Sequence, residues 1–164
     1  MYEKENIKKT IDYKEALTKC TALCSRAEYS VWDIRERLTK WDIEENHQDD
    51  IINYLISNNY INEERYAESF ISDKLKFSKW GRIKIKYALH QKRISESIIY
   101  KILNDINEEE YYKTLVDLIS NKAKYKSGEM DIKKRASIYN FALSRGFEPE
   151  LINRALRKLL AVSC

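Results

Sequence analysis

A helix–break–helix grammar occurs three times along this chain, at intervals of about fifty residues, and it leaves little room for any fold but a stack of helical units. The central copy runs Lys79-Trp80-Gly81-Arg82-Ile83-Lys84-Ile85-Lys86-Tyr87-Ala88-Leu89, breaks at Lys92-Arg93-Ile94, and resumes with Ile98-Ile99-x-x-Ile102. Upstream, Leu38-Thr39-Lys40-Trp41-Asp42-Ile43 leads to Ile51-Ile52-x-x-Leu55. Downstream, Ala142-Leu143-Ser144-Arg145-Gly146-Phe147 leads to Leu151-Ile152-x-x-Ala155. Units of this size bury their apolar faces by stacking on neighbours. Such a chain presents an extended surface, which points to binding rather than catalysis.

Capping and periodicity predict nine helices and no strands. The first covers about Tyr13 to Arg26, with Ala16, Cys20, Leu23 and Cys24 as its apolar stripe. Ser30-Val31-Trp32-Asp33 opens the second as a capping box, with Val31, Ile34 and Leu38 inward. The third is expected from about Asp49 to Asn58, and Asn62 caps the fourth, whose Tyr66, Phe70 and Ile71 pack below. The fifth is expected to begin between Ser78 and Gly81 and to end near Lys92; Ser95 and Asn107 cap the sixth and seventh. Lys126-Ser127-Gly128-Glu129 reads as a loop, Asp131 opens the eighth helix, Gly146 stops it, and Pro149 begins the ninth. Grouped by threes, the helices predict an all-α chain with units at 1–60, 61–106 and 107–164.

Composition narrows the function class. Charged residues make up 34% and hydrophobic ones 43%, which excludes a disordered chain. No apolar run approaches the ~18 residues that span a bilayer, and the polar N-terminus lacks a signal-peptide core, so a soluble, cytoplasmic protein without membrane partners is expected. Cys20, Cys24 and Cys164 are odd in number and imply no disulfide framework; small buried thiols fit the first two better than half a metal site. Motifs of nucleotide hydrolysis, zinc hydrolysis or serine catalysis are missing, and the carboxylate clusters Glu44-Glu45, Asp49-Asp50 and Glu108-Glu109-Glu110 sit where helix N-termini favour negative charge. No enzyme activity and no cofactor are expected.

The net charge of +4 permits a polyanionic partner without demanding one, so its distribution matters. Placing residues 79 to 93 on a helix gathers Lys79, Arg82, Lys86, His90 and Arg93 within about 80° of arc. Ile83, Trp80, Tyr87, Ala88, Ile85 and Leu89 then form a packed perimeter, with Lys84 nearly opposite the strip. Lys74 and Lys76 add charge just upstream; Lys122, Lys124 and Lys126, with Lys133, Lys134 and Arg135, would extend it into the third unit. A solvated face explains such a strip; so does a track for phosphate or for an acidic protein groove. Phosphate contacts give affinity without sequence readout. Trp32, Trp80, Tyr87 and Phe70 recur among aliphatics at helical spacing and read as core rather than as a base-stacking ladder.

These residues resemble the RecX family of bacterial recombinase regulators over nearly the whole chain. Ser25-Arg26-Ala27-Glu28-Tyr29-Ser30 is similar to the family's opening segment. Asn59-Tyr60-Ile61-Asn62-Glu63-Glu64-Arg65-Tyr66-Ala67 resembles its Gly-Tyr-Leu-Asp-Asp-x-Arg-Phe-Ala stretch. Trp80-Gly81-Arg82-Ile83-Lys84 resembles its Gly-x-x-Arg-Ile element, and Ser144-Arg145-Gly146-Phe147 its Arg-Gly-Phe. Asp42, Asn59 and Arg93 stand where the pattern has glycine; Asn and Asp tolerate the left-handed region better than Arg does. The resemblance implies an elongated, curved array of three-helix repeats that binds RecA filaments in their groove. It further implies inhibition of RecA's ATPase, strand exchange and coprotease functions, with weak, non-specific affinity for single- and double-stranded DNA. A monomer is expected. Candidate contacts are Lys74, Lys76, Lys79, Arg82, Lys86, Arg93, Lys122, Lys124, Lys126 and Arg145. Two rival readings are a helix-turn-helix transcriptional regulator and a helical scaffold that binds no DNA.

Overall fold

A computed structural model describes residues 11–124 and 131–162, and every regular element among them is helical. The chain divides into two compact units, one ending at Tyr66 and one starting at Ala67.

The first unit holds α1 (Tyr13–Cys24), α2 (Val31–Lys40), α3 (Glu45–Ser57) and the start of α4 (Glu63–Asp73). Its core is Ala16, Cys20, Ile34, Leu38, Ile51, Ile52 and Leu55. Asp12 caps α1 by accepting the Glu15 amide at 2.8 Å. Ser30 opens α2 with the full capping box: its hydroxyl accepts the Asp33 amide at 3.1 Å, and Asp33 accepts the Ser30 amide at 3.3 Å. Arg65 gathers the unit's last turn, pairing with Glu28 at 2.5 Å and donating to the Asn59 side chain and carbonyl at 3.2 and 3.3 Å.

The second unit continues α4 into a π-helical turn, Lys74–Ser78, followed by α5 (Arg82–Gln91), α6 (Glu96–Asn104), α7 (Glu108–Lys124), α8 (Ile132–Ser144) and α9 (Pro149–Val162). Tyr111, Leu115 and Ile119 of α7 pack against Ile138 and Ala142 of α8 and Ile152, Ala155 and Leu156 of α9, around the fully buried Phe147.

The breaks share one geometry. Asp42, Asn59 and Arg93 each lie at φ 58°, and Gly146 at φ 86°. After each, an apolar or aromatic residue returns its amide to the carbonyl of the preceding helix's last turn: Ile43 to Leu38 at 3.1 Å, Tyr60 to Leu55 at 2.8 Å, Ile94 to Leu89 at 3.2 Å, Phe147 to Ala142 at 3.3 Å. The left-handed residue closes the inner bond, as Arg93 does to His90 at 2.9 Å. This is the Schellman motif, in which the returning residue packs back on the helix it ends. Arginine tolerates the left-handed turn because that ladder and the burial of Ile94 over-determine it.

Registering the copies on Asp42, Arg93 and Gly146 aligns their cores. Ile34, Ile85 and Ile138 fall at one position, and Leu38, Leu89 and Ala142 at another; all six are fully buried. The register also corrects α3. It starts at Glu45 rather than near Asp49, because Gln48 occupies the position of Ile99 and Ile152. The apolar signature of the first copy therefore appears one turn late in the sequence. Gln48 is buried with its amide satisfied, donating to the Ile43 carbonyl at 2.7 Å and accepting from Thr39 at 3.4 Å.

Two further departures lie at the starts of α5 and α6. The expected helix from Ser78–Gly81 begins only at Arg82, since Lys79 sits in the left-handed region at φ 52° and closes the π-turn, with the Trp80 amide on the Lys74 carbonyl at 3.0 Å. Ser95 flanks α6 without a side-chain capping bond. The loop expected at Lys126-Ser127-Gly128-Glu129 lies outside the described residues.

Candidate recognition surface

Helix α5 is fixed at its N-terminus by backbone rather than by a capping side chain. The amides of Gly81 and Ile83 donate to the carbonyls of Arg145 and Gly146 at 2.8 and 3.1 Å, so the open donors of α5 meet the open acceptors at the end of α8. The approach is so close that a Cβ on Gly81 would lie 2.2 Å from the Gly146 oxygen, and one on Gly146 would lie 2.3 Å from Lys84 Cβ. Both glycines are required by contact, and Gly146 by its φ as well.

Arg82 completes this joint. Its guanidinium forks onto Glu108 at 2.6 and 3.3 Å, approaches Glu148 at 3.6 Å, and lies 4.2 Å from the centre of the Tyr111 ring. Its amide donates to the Tyr111 hydroxyl at 2.9 Å, and that hydroxyl donates to Glu148 at 2.7 Å. Burial first, then the bond to Glu148, pushes the Tyr111 hydroxyl well above its ordinary pKa. With its side chain 18% exposed, Arg82 is a structural clamp, which corrects its placement on an open strip.

The remaining cations of the expected strip divide by their partners. Lys86 and His90 both engage Glu96, the latter at 2.8 Å. Lys79 and Arg93 lie beyond the two ends of α5, each in the left-handed region, so neither belongs to the helix on which the 80° arc was drawn. Lys74 lies over the rings of Phe70 and Trp80 at 5.1 and 5.0 Å, and Lys84 over Trp80 at 4.7 Å while donating to the Ser144 carbonyl at 3.3 Å. Lys122 and Arg145 share the Phe141 ring at 4.7 and 5.3 Å, and Arg145 donates to the Ser78 carbonyl at 3.0 Å. Lys76, Lys79, Arg93 and Lys124 are exposed; Lys126 lies outside the described residues. Lys76 and Lys79 also border a 440 Å³ cavity between α4, the π-turn, α6 and α7, floored by Ile71, Leu75, Ile102 and Ile106 and rimmed also by Glu68, Asp105 and Glu110.

The packed perimeter expected for α5 is also corrected. The helix buries Ile85 and Leu89, and half a turn away Ile83 and Tyr87 stand 52% and 66% exposed. Tyr100 of α6 is 65% exposed, and Phe77 on the π-turn 81%. The signal for this was present: anchoring the helix on the position shared with Ile34 and Leu38 turns Ile83 and Tyr87 outward. The π-turn had no such signal.

Three-helix copies, each with a Schellman break before its last helix, and a clamped joint between the second and third define a helical-repeat protein. Residues 62–103 match the family model described as the second three-helix domain of RecX, and residues 108–156 the model of its third. The chain belongs to the RecX family of regulatory proteins. It is 35% identical over 129 residues to Regulatory protein RecX of Clostridium perfringens (strain SM101), an alignment covering 77% of this chain and 60% of that protein. Regulatory protein RecX of Chlorobium phaeobacteroides is 28% identical, with 90% of this chain and 95% of that protein covered. The chain thus spans about 60% of the length of the Clostridium perfringens relatives it resembles. A crystal structure of RecX from Lactobacillus salivarius shares the fold, with a TM-score of 0.78 at 24% identity over 90% of this chain and 96% of that one.

Proposed function

We propose that this protein is a non-enzymatic modulator of the RecA recombinase, acting along the assembled filament to slow its ATP hydrolysis, strand exchange and coprotease activity. Two consecutive RecX domain models on one chain carry the reading. Repeated helical units, divided as 1–60, 61–106 and 107–164, suit a repeating filament better than a point site. Weak, sequence-indifferent binding to single- and double-stranded DNA accompanies it, and the protein works as a cytoplasmic monomer. Among the candidate contacts, the exposed Lys76, Lys79, Arg93 and Lys124 are the cations free to meet phosphate or acidic protein. Arg82 serves instead to hold the surface in shape.

The test is ATP hydrolysis by the cognate recombinase on single-stranded DNA, with and without this protein. Dose-dependent slowing is expected; a rate unchanged at saturating protein contradicts the reading. Strong preference for one duplex sequence would favour a helix-turn-helix regulator instead.

A further inference from the structure

We infer that the outer face of α5 and α6 is a stacking platform for unpaired bases, built from Tyr87 and Tyr100 together with Lys86, and that its ligand is single-stranded nucleic acid. This deepens the reading above by naming what one face of the modulator touches, and it rests on that reading.

Three observations converge. Tyr87 and Tyr100 turn about two-thirds of their surface to solvent, although neither position is needed for the core, which α5 and α6 form with Ile85, Leu89 and Ile99. The two helices are joined across this face by Lys86 on Glu96, and Tyr100 lies one turn beyond Glu96. In the repeat register, Lys86 and Tyr100 occupy the positions of Arg35 and Asp49 in the first copy, where those side chains meet at 2.7 Å. Tyr87 thus follows Lys86 directly on α5, and Tyr100 follows the lysine's partner Glu96 by one turn on α6.

Charge selects the ligand. From Lys74 to Ser95 the chain carries six lysines, Arg93 and the clamped Arg82, without a single Asp or Glu, and Glu96 is already held by Lys86 and His90. Aromatic rings interleaved with cations bind single strands, since every base offers a π-face and every linkage a phosphate. A duplex hides its base faces, so these rings have nothing to stack on there. An acidic protein would satisfy the lysines, but a run of successive unpaired bases supplies phosphates and ring faces together.

The experiment uses the full chain and a fluorescein-labelled oligothymidylate, followed by anisotropy at low salt. Tyr87→Ser with Tyr100→Ser should melt as the wild type does and bind at least tenfold more weakly. The salt slope should stay unchanged, near −3 if about four phosphates contribute ~0.7 each, because phosphate contacts are untouched. Tyr87→Phe with Tyr100→Phe should bind as the wild type, since stacking needs the ring and not the hydroxyl. An oligonucleotide carrying 5-iodouracil should photocrosslink the wild type at Tyr87 or Tyr100, a readout independent of how the variants fold. Wild-type affinity in the serine variant, crosslinks confined to other residues, or no oligonucleotide binding by the wild type overturns the proposal. If the serine variant keeps its oligonucleotide affinity but loses inhibition of the recombinase, the face meets protein; this proposal fails and the reading above stands. If the tyrosines bind the strand but the recombinase is never slowed, the reading above fails and the platform stands.

Discussion

The first and middle copies differ least where they are buried and most where they are not. In register, Ile34 and Leu38 of α2 correspond to Ile85 and Leu89 of α5, four fully buried residues in the same roles. On the outer face, Arg35, Glu36 and Asp49 in the first copy become Lys86, Tyr87 and Tyr100 in the middle one. The exposed pair Arg35 with Asp49 gives way to Lys86 paired with Glu96, in the company of two exposed tyrosines. One scaffold thus carries two surfaces. Core positions are fixed by packing, whereas outer positions contribute little to folding and are free to specialise.

The same contrast ranks the expected effects of mutation. The largest belongs to the joint in the second unit. Gly146→Ala places a Cβ on Lys84 and forces a left-handed φ on alanine; overpacking costs ~1–3 kcal/mol and the backbone ~1–2 more. Thermal unfolding should show the greatest loss of all single variants, and a midpoint within a degree of the wild type would mean that the contact relaxes freely. Next comes the difference between two arginines. Arg82→Ala removes the cation held by Glu108, the partly buried Glu148 and the Tyr111 ring, although its amide still donates to the Tyr111 hydroxyl, and should cost ~1–3 kcal/mol. Arg35→Ala breaks only an exposed pair and should cost ~0.2–1 kcal/mol. Equal losses in denaturant titrations would erase the distinction between clamp and surface pair.

Smaller effects sharpen the comparison of breaks. Arg93→Gly relieves a left-handed arginine worth ~1–2 kcal/mol but adds unfolded-chain entropy of ~0.5–1 kcal/mol, so a net gain of about half to one kcal/mol is expected. Asp42→Gly should gain less, and a loss of stability in Arg93→Gly would show that the arginine side chain contributes something the break geometry does not reveal. The smallest effect concerns α1. Burial, followed by the neighbouring thiol, pushes Cys20 up to about 11, and burial with Glu28 does the same for Cys24. Stability from these neutral thiols is fully present below the unfolded value near 9 and is lost as pH rises towards 11. Alkylation at pH 8 should accordingly be slow in the folded protein and fast in denaturant; equal rates would place the thiols in solvent.

The helices were legible because each rests on local chemistry: the Ser30 box and the Asn107 and Asp131 caps follow from residue type and spacing. The left-handed places of Asp42, Asn59 and Arg93 were marked instead by the glycines of the family pattern, against the preference of arginine. Helix α3 was misplaced by one turn because a single buried glutamine, satisfied through tertiary bonds, interrupts its apolar pattern. The candidate site was less legible. A helical wheel assigns direction to a side chain but not a partner, so Arg82 looked free until Glu108, Tyr111 and Glu148 arrived from elsewhere in the sequence. The wheel also assumed that residues 79–93 are one helix, and the left-handed Lys79 and Arg93 confine that helix to Arg82–Gln91. With its true core face at Ile85 and Leu89, Tyr87 turns from a core residue into a surface one.

On the proposed reading the scaffold is shared, and recognition resides in the outer face of the middle copy. Giving that face the first copy's residues, Tyr87→Glu with Tyr100→Asp, tests this directly. Both positions are exposed, so helicity and melting should match the wild type, while two carboxylates repel a phosphate backbone and remove both rings. In the recombinase ATPase assay on single-stranded DNA, at least tenfold more of this variant should be needed for half-inhibition, a difference of about 1.4 kcal/mol. Half-inhibition at the wild-type concentration by an equally stable variant would contradict it.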